Sequence, residues 1–187
     1  MGYKLYKQYR LPGFDYSGEG EYFVTICTAN HREYFGEIVK GKMILSEMGE
    51  LVDKIWTAIP AKFENVWLDA YQVMPDHLHG IIILKEGEHL INQMPTSIQK
   101  PIFNSGINNN PMESMGASLG KIIRWFKGRL KYESKKINPD FKWQSRFYDR
   151  IIRDDKEFYF ISEYIANNPV NRGKGILKTY LESRGHF

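Results

Sequence analysis

The sequence predicts an α+β fold, an antiparallel sheet packed with helices, on three observations. Short β-branched and aromatic runs come in neighbouring pairs with turn residues between them. Segments of helical apolar spacing separate those pairs at uneven intervals, and the strict one-to-one alternation of a parallel βαβ array is missing. The 187 residues, 42% hydrophobic and 26% charged, suit a single domain (1–187) large enough to bury a sizeable core.

The opening, through Arg10-Leu-Pro-Gly-Phe-Asp-Tyr-Ser-Gly, is rich in Gly, Tyr and basic residues and reads as an arm or loop. Tyr22-Phe-Val-Thr-Ile-Cys-Thr is dense in strand formers, and residues 35–39 and 43–45 flank Lys40-Gly-Lys as a hairpin. Ser46 is placed to cap a helix whose apolar positions Met48, Leu51, Val52, Ile55, Trp56 and Ile59 recur at helical spacing up to Pro60. Residues 66–74 and 78–84 read as two strands turned by Pro75-Asp76. Residues 86–117, with three prolines and little periodicity, read as a flexible insertion. Ser118 then caps a helix with Leu119, Ile122, Ile123, Phe126 and Leu130 on one face. Residues 147–153 read as a strand, and Asp154 or Asp155 starts a helix carrying Phe158, Ile161, Tyr164 and Ile165 to a stop at Pro169. The predicted order is β-β-β-α-β-β-α-β-α.

Several classes are excluded or set aside. No apolar run approaches the ~20 residues of a membrane span, and the first residues lack the apolar core of a signal peptide, so no membrane partner and a cytosolic location are expected. The single cysteine, Cys27, allows no internal disulfide and no cysteine-cluster metal site, which leaves histidine, carboxylate or amide for any metal.

The net charge of +4 is mild, but its distribution is uneven. Residues 118–153 hold eleven Lys and Arg against three Asp and Glu, a local +8 that leaves −4 for the remainder. Lys121, Arg124, Lys127, Lys131, Arg146 and Arg150 lie in this stretch, interleaved with Trp125, Phe126, Tyr132, Phe141, Trp143, Phe147 and Tyr148. A groove that tracks phosphates and stacks unpaired bases needs that mixture, although a solvated helix face beside core aromatics has the same composition.

His77-Leu-His79 heads the apolar run Ile81-Ile-Ile-Leu84. Side chains two apart on a strand share a face, so both imidazoles can converge on one divalent ion. In a chain with five histidines such a pair is expected by chance roughly 0.13 times, and a turn histidine beside a strand histidine is the bland alternative. Zinc hydrolase spacing fits poorly, because no acidic residue follows within His79-Gly-Ile-Ile-Ile-Leu. Two imidazoles need a further ligand, and Tyr164 and Asn168 in Glu163-Tyr-Ile-Ala-Asn-Asn-Pro169, four apart on one helical face, offer a phenol and an amide oxygen. A core tyrosine and a helix C-cap are the structural alternatives for these two.

Four segments in this order resemble the HUH single-strand transposases, and most closely the REP-associated tyrosine transposases: Tyr22-Phe-Val-Thr-Ile-Cys-Thr, Val73-Met-Pro-Asp-His-Leu-His-Gly-Ile-Ile-Ile, Lys142-Trp-Gln-Ser-Arg-Phe-Tyr-Asp-Arg-Ile-Ile-Arg and Tyr164-Ile-Ala-Asn-Asn-Pro-Val. The similarity runs from about Arg10 to Gly173 and skips 86–117. The resemblance implies a ferredoxin-like HUH domain with His77 and His79 on its central strand, binding Mg²⁺ or Mn²⁺, Asn168 as third metal ligand and Tyr164 as the nucleophile on a C-terminal helix. Asn168 stands where insertion-sequence members usually carry glutamine, as it does in the REP-associated group. The implied activity is cleavage and rejoining of single-stranded or hairpin DNA through a 5′-phosphotyrosine, with Lys121, Arg124, Lys127, Lys131, Arg146 and Arg150 on the DNA. A non-catalytic nucleic-acid-binding domain and a metal-dependent phosphoesterase are the competing readings. Monomer and homodimer are both open.

Overall fold

The computed structural model describes residues 18–85, 118–171 and 174–183; the opening arm up to residue 17 and the insertion read at 86–117 lie outside the described residues. The chain runs β1 (Gly20–Cys27), a 3-10 turn (Ala29–His31), β2 (Gly36–Val39), β3 (Lys42–Leu45), α1 (Glu47–Thr57), α2 (Ile59–Lys62), β4 (Val66–Met74) and β5 (His77–Leu84). It continues with α3 (Leu119–Glu133), a second 3-10 turn (Ser134–Lys136), β6 (Tyr148–Ile152), α4 (Asp155–Ala166), α5 (Asn168–Asn171) and α6 (Ile176–Ser183). The three helix starts read from the sequence carry working caps: Ser46 accepts from the Gly49 amide at 3.2 Å, Ser118 from Lys121 at 3.4 Å and Asp154 from Glu157 at 2.8 Å.

Four strands form one sheet in the order β4-β5-β1-β6, every neighbour antiparallel, and β2-β3 make a separate hairpin. With α1 and α3 as the connecting helices, the sheet strands follow a βαββαβ path, the ferredoxin-like arrangement. The predicted antiparallel α+β architecture is the observed one, and the histidine strand β5 is internal.

Strand alternation divides the core in two. Tyr22, Val24, Ile26, Leu78 and Ile82 face one side, where α1 and α3 bring Val52, Trp56, Ile122 and Phe126. Phe23, Ile81, Ile83 and Ile152 face the other and are covered by Ile161 and Ile165 of α4. Fully burying each of these two isoleucines contributes about 1.5–3 kcal/mol toward docking α4 on the sheet. At Gly80 any Cβ would meet Cζ2 of the buried Trp56 at 2.4 Å, so glycine is what lets α1 sit this close to β5.

One predicted element is corrected. The last helix of the sequence reading runs unbroken to Pro169, whereas α4 ends at Ala166, Asn167 adopts φ −92, ψ 5, and Asn168–Asn171 form a separate short helix. Pro169 has no N–H to give the carbonyl of Ile165, so α4 cannot continue through it, while the first turn of a new helix tolerates it. Helix α6 and the hydrogen-bonded bridge between Thr28 and Trp143 had no counterpart in the sequence reading.

Candidate active site

The site lies on the α4 side of the sheet, near the end of β5 that follows the Pro75-Asp76 turn. β5 pairs with β1 so that His77 stands opposite Cys27 and His79 opposite Thr25, while on its other edge Met74 and Gln72 face the same two histidines. The two imidazoles turn their Nε2 atoms toward each other at 3.1 Å. Each is held through its other ring nitrogen. His77 Nδ1 meets Asp76 Oδ1 at 2.8 Å, and His79 Nδ1 meets Thr25 Oγ1 at 2.8 Å. An ionised carboxylate only accepts, so Asp76 fixes the proton of His77 on Nδ1 and leaves its Nε2 lone pair facing inward.

Helix α4 supplies Tyr164, whose hydroxyl is 3.4 Å from His79 Nε2, a long contact. Phe23 stacks on the His79 ring at 5.4 Å and meets the Tyr164 ring edge-on at 6.3 Å, which walls the phenol on its inner side. Asn168, 5% exposed, hydrogen-bonds the Tyr164 hydroxyl from α5. Burial pushes the Tyr164 phenol above its ordinary range, and the Asn168 amide opposes that rise by favouring the phenolate. Burial, and secondarily the neighbouring His77, drive His79 well below the ordinary histidine range, so it keeps a free lone pair.

The donor set fits a divalent ion. The two Nε2 atoms, 3.1 Å apart and turned toward each other, are close enough for one ion to meet both. Among the described residues no group of three His, Cys, Asp or Glu side chains is placed to hold a metal, so a third protein ligand would have to be an amide or phenol, and Asn168 and Tyr164 are the ones at hand. Cys27 is unsuited, because burial and the nearby Asp76 push its thiol up to about 11.

His77, His79, Tyr164 and Asn168, 91 positions apart at the extremes of the sequence motifs, thus converge from β5, α4 and α5. The basic residues of α3 do not join them. Helix α3 packs its apolar face on the opposite side of the sheet. Lys127 Nζ is tied to the Gln144 and Ser145 carbonyls, and Lys131 Nζ to those of Pro139 and Phe141. Arg150 pairs with the fully buried Glu157 at 2.6 Å. Lys121, Arg124 and Arg146 are the exposed members of the set.

Sequence reasoning missed Asp76, read only as a turn residue, and also Thr25 and Phe23. An acidic residue directly before the first histidine was a legible signal for Asp76. The other two depend on strand register, which no local pattern specifies.

No protein-family model matches the chain. An uncharacterized protein of Haemophilus influenzae is 36% identical over 162 residues, 86% of each chain. A second protein of the same organism, named "Putative REP-associated tyrosine transposase", is 31% identical over 113 residues, 60% of this chain and 60% of that protein. Among solved structures, that of a REP-associated tyrosine transposase bound to a REP hairpin superposes with a TM-score of 0.52 at 18% identity, over 82% of this chain and 68% of that one. That likeness is one of fold.

Proposed function

We propose, for a chain that belongs to one family with the uncharacterized Haemophilus influenzae protein and that resembles the REP-associated tyrosine transposases in sequence and fold, that it cleaves and rejoins hairpin-bearing single-stranded DNA with Tyr164 as nucleophile. The observation that carries this reading is the Tyr164 hydroxyl 3.4 Å from His79 Nε2, beside the paired Nε2 atoms of the two histidines. A phosphoesterase acting with water has no need of a tyrosine at that point.

In the proposed step the phenolic oxygen of Tyr164 attacks phosphorus and the bond from phosphorus to the 3′-oxygen breaks. The products are a 5′-phosphotyrosine and a free 3′-hydroxyl; the phenol gives up one proton and the leaving oxygen gains one. The bond energy is retained, so the reverse attack by a 3′-hydroxyl rejoins strands. An unperturbed phenol is only ~0.1% ionised at neutral pH, and burial makes Tyr164 less acidic still. Asn168 opposes that, and Phe23 keeps the ring from turning away. His77, His79 and Asn168 would hold Mg²⁺ or Mn²⁺, which when bound polarises the phosphate oxygen and offsets the charge that accumulates in attack.

The test is incubation with a labelled hairpin oligonucleotide and with the same sequence as perfect duplex, in Mg²⁺ or Mn²⁺, followed by denaturing electrophoresis. A covalent protein–DNA band with the hairpin, absent for Tyr164→Phe and for the duplex, is expected. Release of product by Tyr164→Phe at the native rate would replace the reading with hydrolysis, and retained hairpin binding without cleavage by the native protein would leave a binding domain.

A further inference from the structure

His31 belongs to none of the motifs above, yet its Nδ1 lies 2.9 Å from Asp76 Oδ2, the oxygen that does not contact His77. The Asp76 carboxylate therefore joins two imidazoles from separate parts of the chain, one from β5 and one from the 3-10 turn after β1. We infer that His31 is a positioning residue for the histidine pair: by donating to Oδ2 it holds the Asp76 carboxylate in the orientation that presents Oδ1 to His77 Nδ1 and so aims His77 Nε2 into the site.

Three observations favour that role over a chance surface contact. Asn30 and His31 have φ of 56° and 51°, two successive non-glycine residues in the left-handed region, which L side chains rarely adopt. The His31 side chain is 63% exposed, so its burial does not compensate for that conformation. And the turn is pinned where it must be to deliver the ring: the Thr28 amide donates to the Asp76 carbonyl at 2.9 Å, Thr28 Oγ1 to the Arg32 carbonyl at 2.7 Å, and the Ala29 amide to the Lys142 carbonyl at 2.8 Å. The strained turn brings His31 Nδ1 to 2.9 Å from Asp76 Oδ2. A carboxylate beneath a ligating histidine fixes its tautomer and direction, and partners of this kind change metal affinity or activity by about 10–100-fold when removed.

The catalytic consequence rests on the proposed function; the positioning itself does not. Three proteins are compared, native, His31→Ala and His31→Asn. Asparagine places an amide N–H where Nδ1 stands and tolerates the left-handed backbone. Nitrogen–proton correlation spectra of the imidazoles are recorded without metal, and Mn²⁺ binding is titrated. The native protein should show His77 as a single Nδ1–H tautomer, His31→Ala a mixture of tautomers with Mn²⁺ binding weakened about fivefold or more, and His31→Asn recovery of both. Hairpin DNA binding should be equal in all three. A His77 tautomer unchanged in His31→Ala would overturn the inference, even if the native protein neither binds Mn²⁺ nor cuts DNA, a result that would sink the proposed function instead.

Discussion

Asn168 on α5 hydrogen-bonds the phenol that Tyr164 carries on α4, so two elements separated by the break before Pro169 are joined at the phenolic oxygen. The amide counteracts the effect of burial on that phenol. Removing it should raise the Tyr164 pKa further. In Asn168→Ala the alkaline rise of the cleavage rate should move to higher pH, and the rate at neutral pH should fall about tenfold or more, the worth of a hydrogen bond to a charged group. A pH–rate profile coincident with the native one would show that the amide does not act on the phenol.

His77→Ala and His79→Ala should each abolish cleavage and leave hairpin binding within about twofold, because the exposed cations Lys121 and Arg124 lie on α3, across the sheet from the histidines. Stripping divalent ions with chelator should have the same effect on the native protein, reversed by Mg²⁺ or Mn²⁺. Full activity in chelator would remove the metal from the mechanism.

His79 makes stability pH-dependent in a defined direction. Its folded-state pKa is well below the unfolded value near 6.5, so below that pH the unfolded chain takes up a proton that the folded chain refuses. At pH 7.5 both states are neutral there and the group contributes no pH dependence. As pH falls below 6.5, stability should decline, by up to about 1.4 kcal/mol per pH unit from this residue. Urea denaturation in chelator at pH 7.5, 6.0 and 5.0 measures the slope, and His79→Gln should flatten it.

Salt dependence separates the cations that reach solvent from those spent inside the fold. Lys121→Ala with Arg124→Ala should reduce the slope of log affinity against log salt by about 1.4 on a single strand, that is about 0.7 for each phosphate no longer neutralised. Lys127→Ala should act on stability instead, since its ammonium holds two loop carbonyls. An unchanged slope in the double variant would route the DNA away from α3.

Gly80→Ala tests the close approach of α1 to the histidine strand. Its Cβ would stand 2.4 Å from the indole of Trp56, whose fully buried ring has little room to yield. A loss of about 1–3 kcal/mol is expected in denaturant titration. Native stability in this variant would mean that α1 can shift without cost.

The elements were legible from local chemistry. Ser46, Ser118 and Asp154 cap in the structure as their side chains dictate, and the alternation that marks β1 and β5 as strands also puts His77 and His79 on one face. The motifs likewise located Tyr164 and Asn168, because a phenol and an amide four positions apart are side-chain chemistry visible in the sequence. Tertiary structure decided the rest. The antiparallel register of β1 against β5 selects Thr25 and Phe23 as neighbours of His79, and no turn joins these two strands, so their register is settled only when their apolar faces meet a common core. The side of the sheet each helix covers depends on which apolar stripe finds which face, so the placement of basic α3 opposite the histidines could not be read from its composition. Asp76 and His31, 45 positions apart, meet only because the turn after β1 folds over the turn before β5: a hydrogen bond of 2.9 Å that belongs to the packed molecule and to neither segment alone.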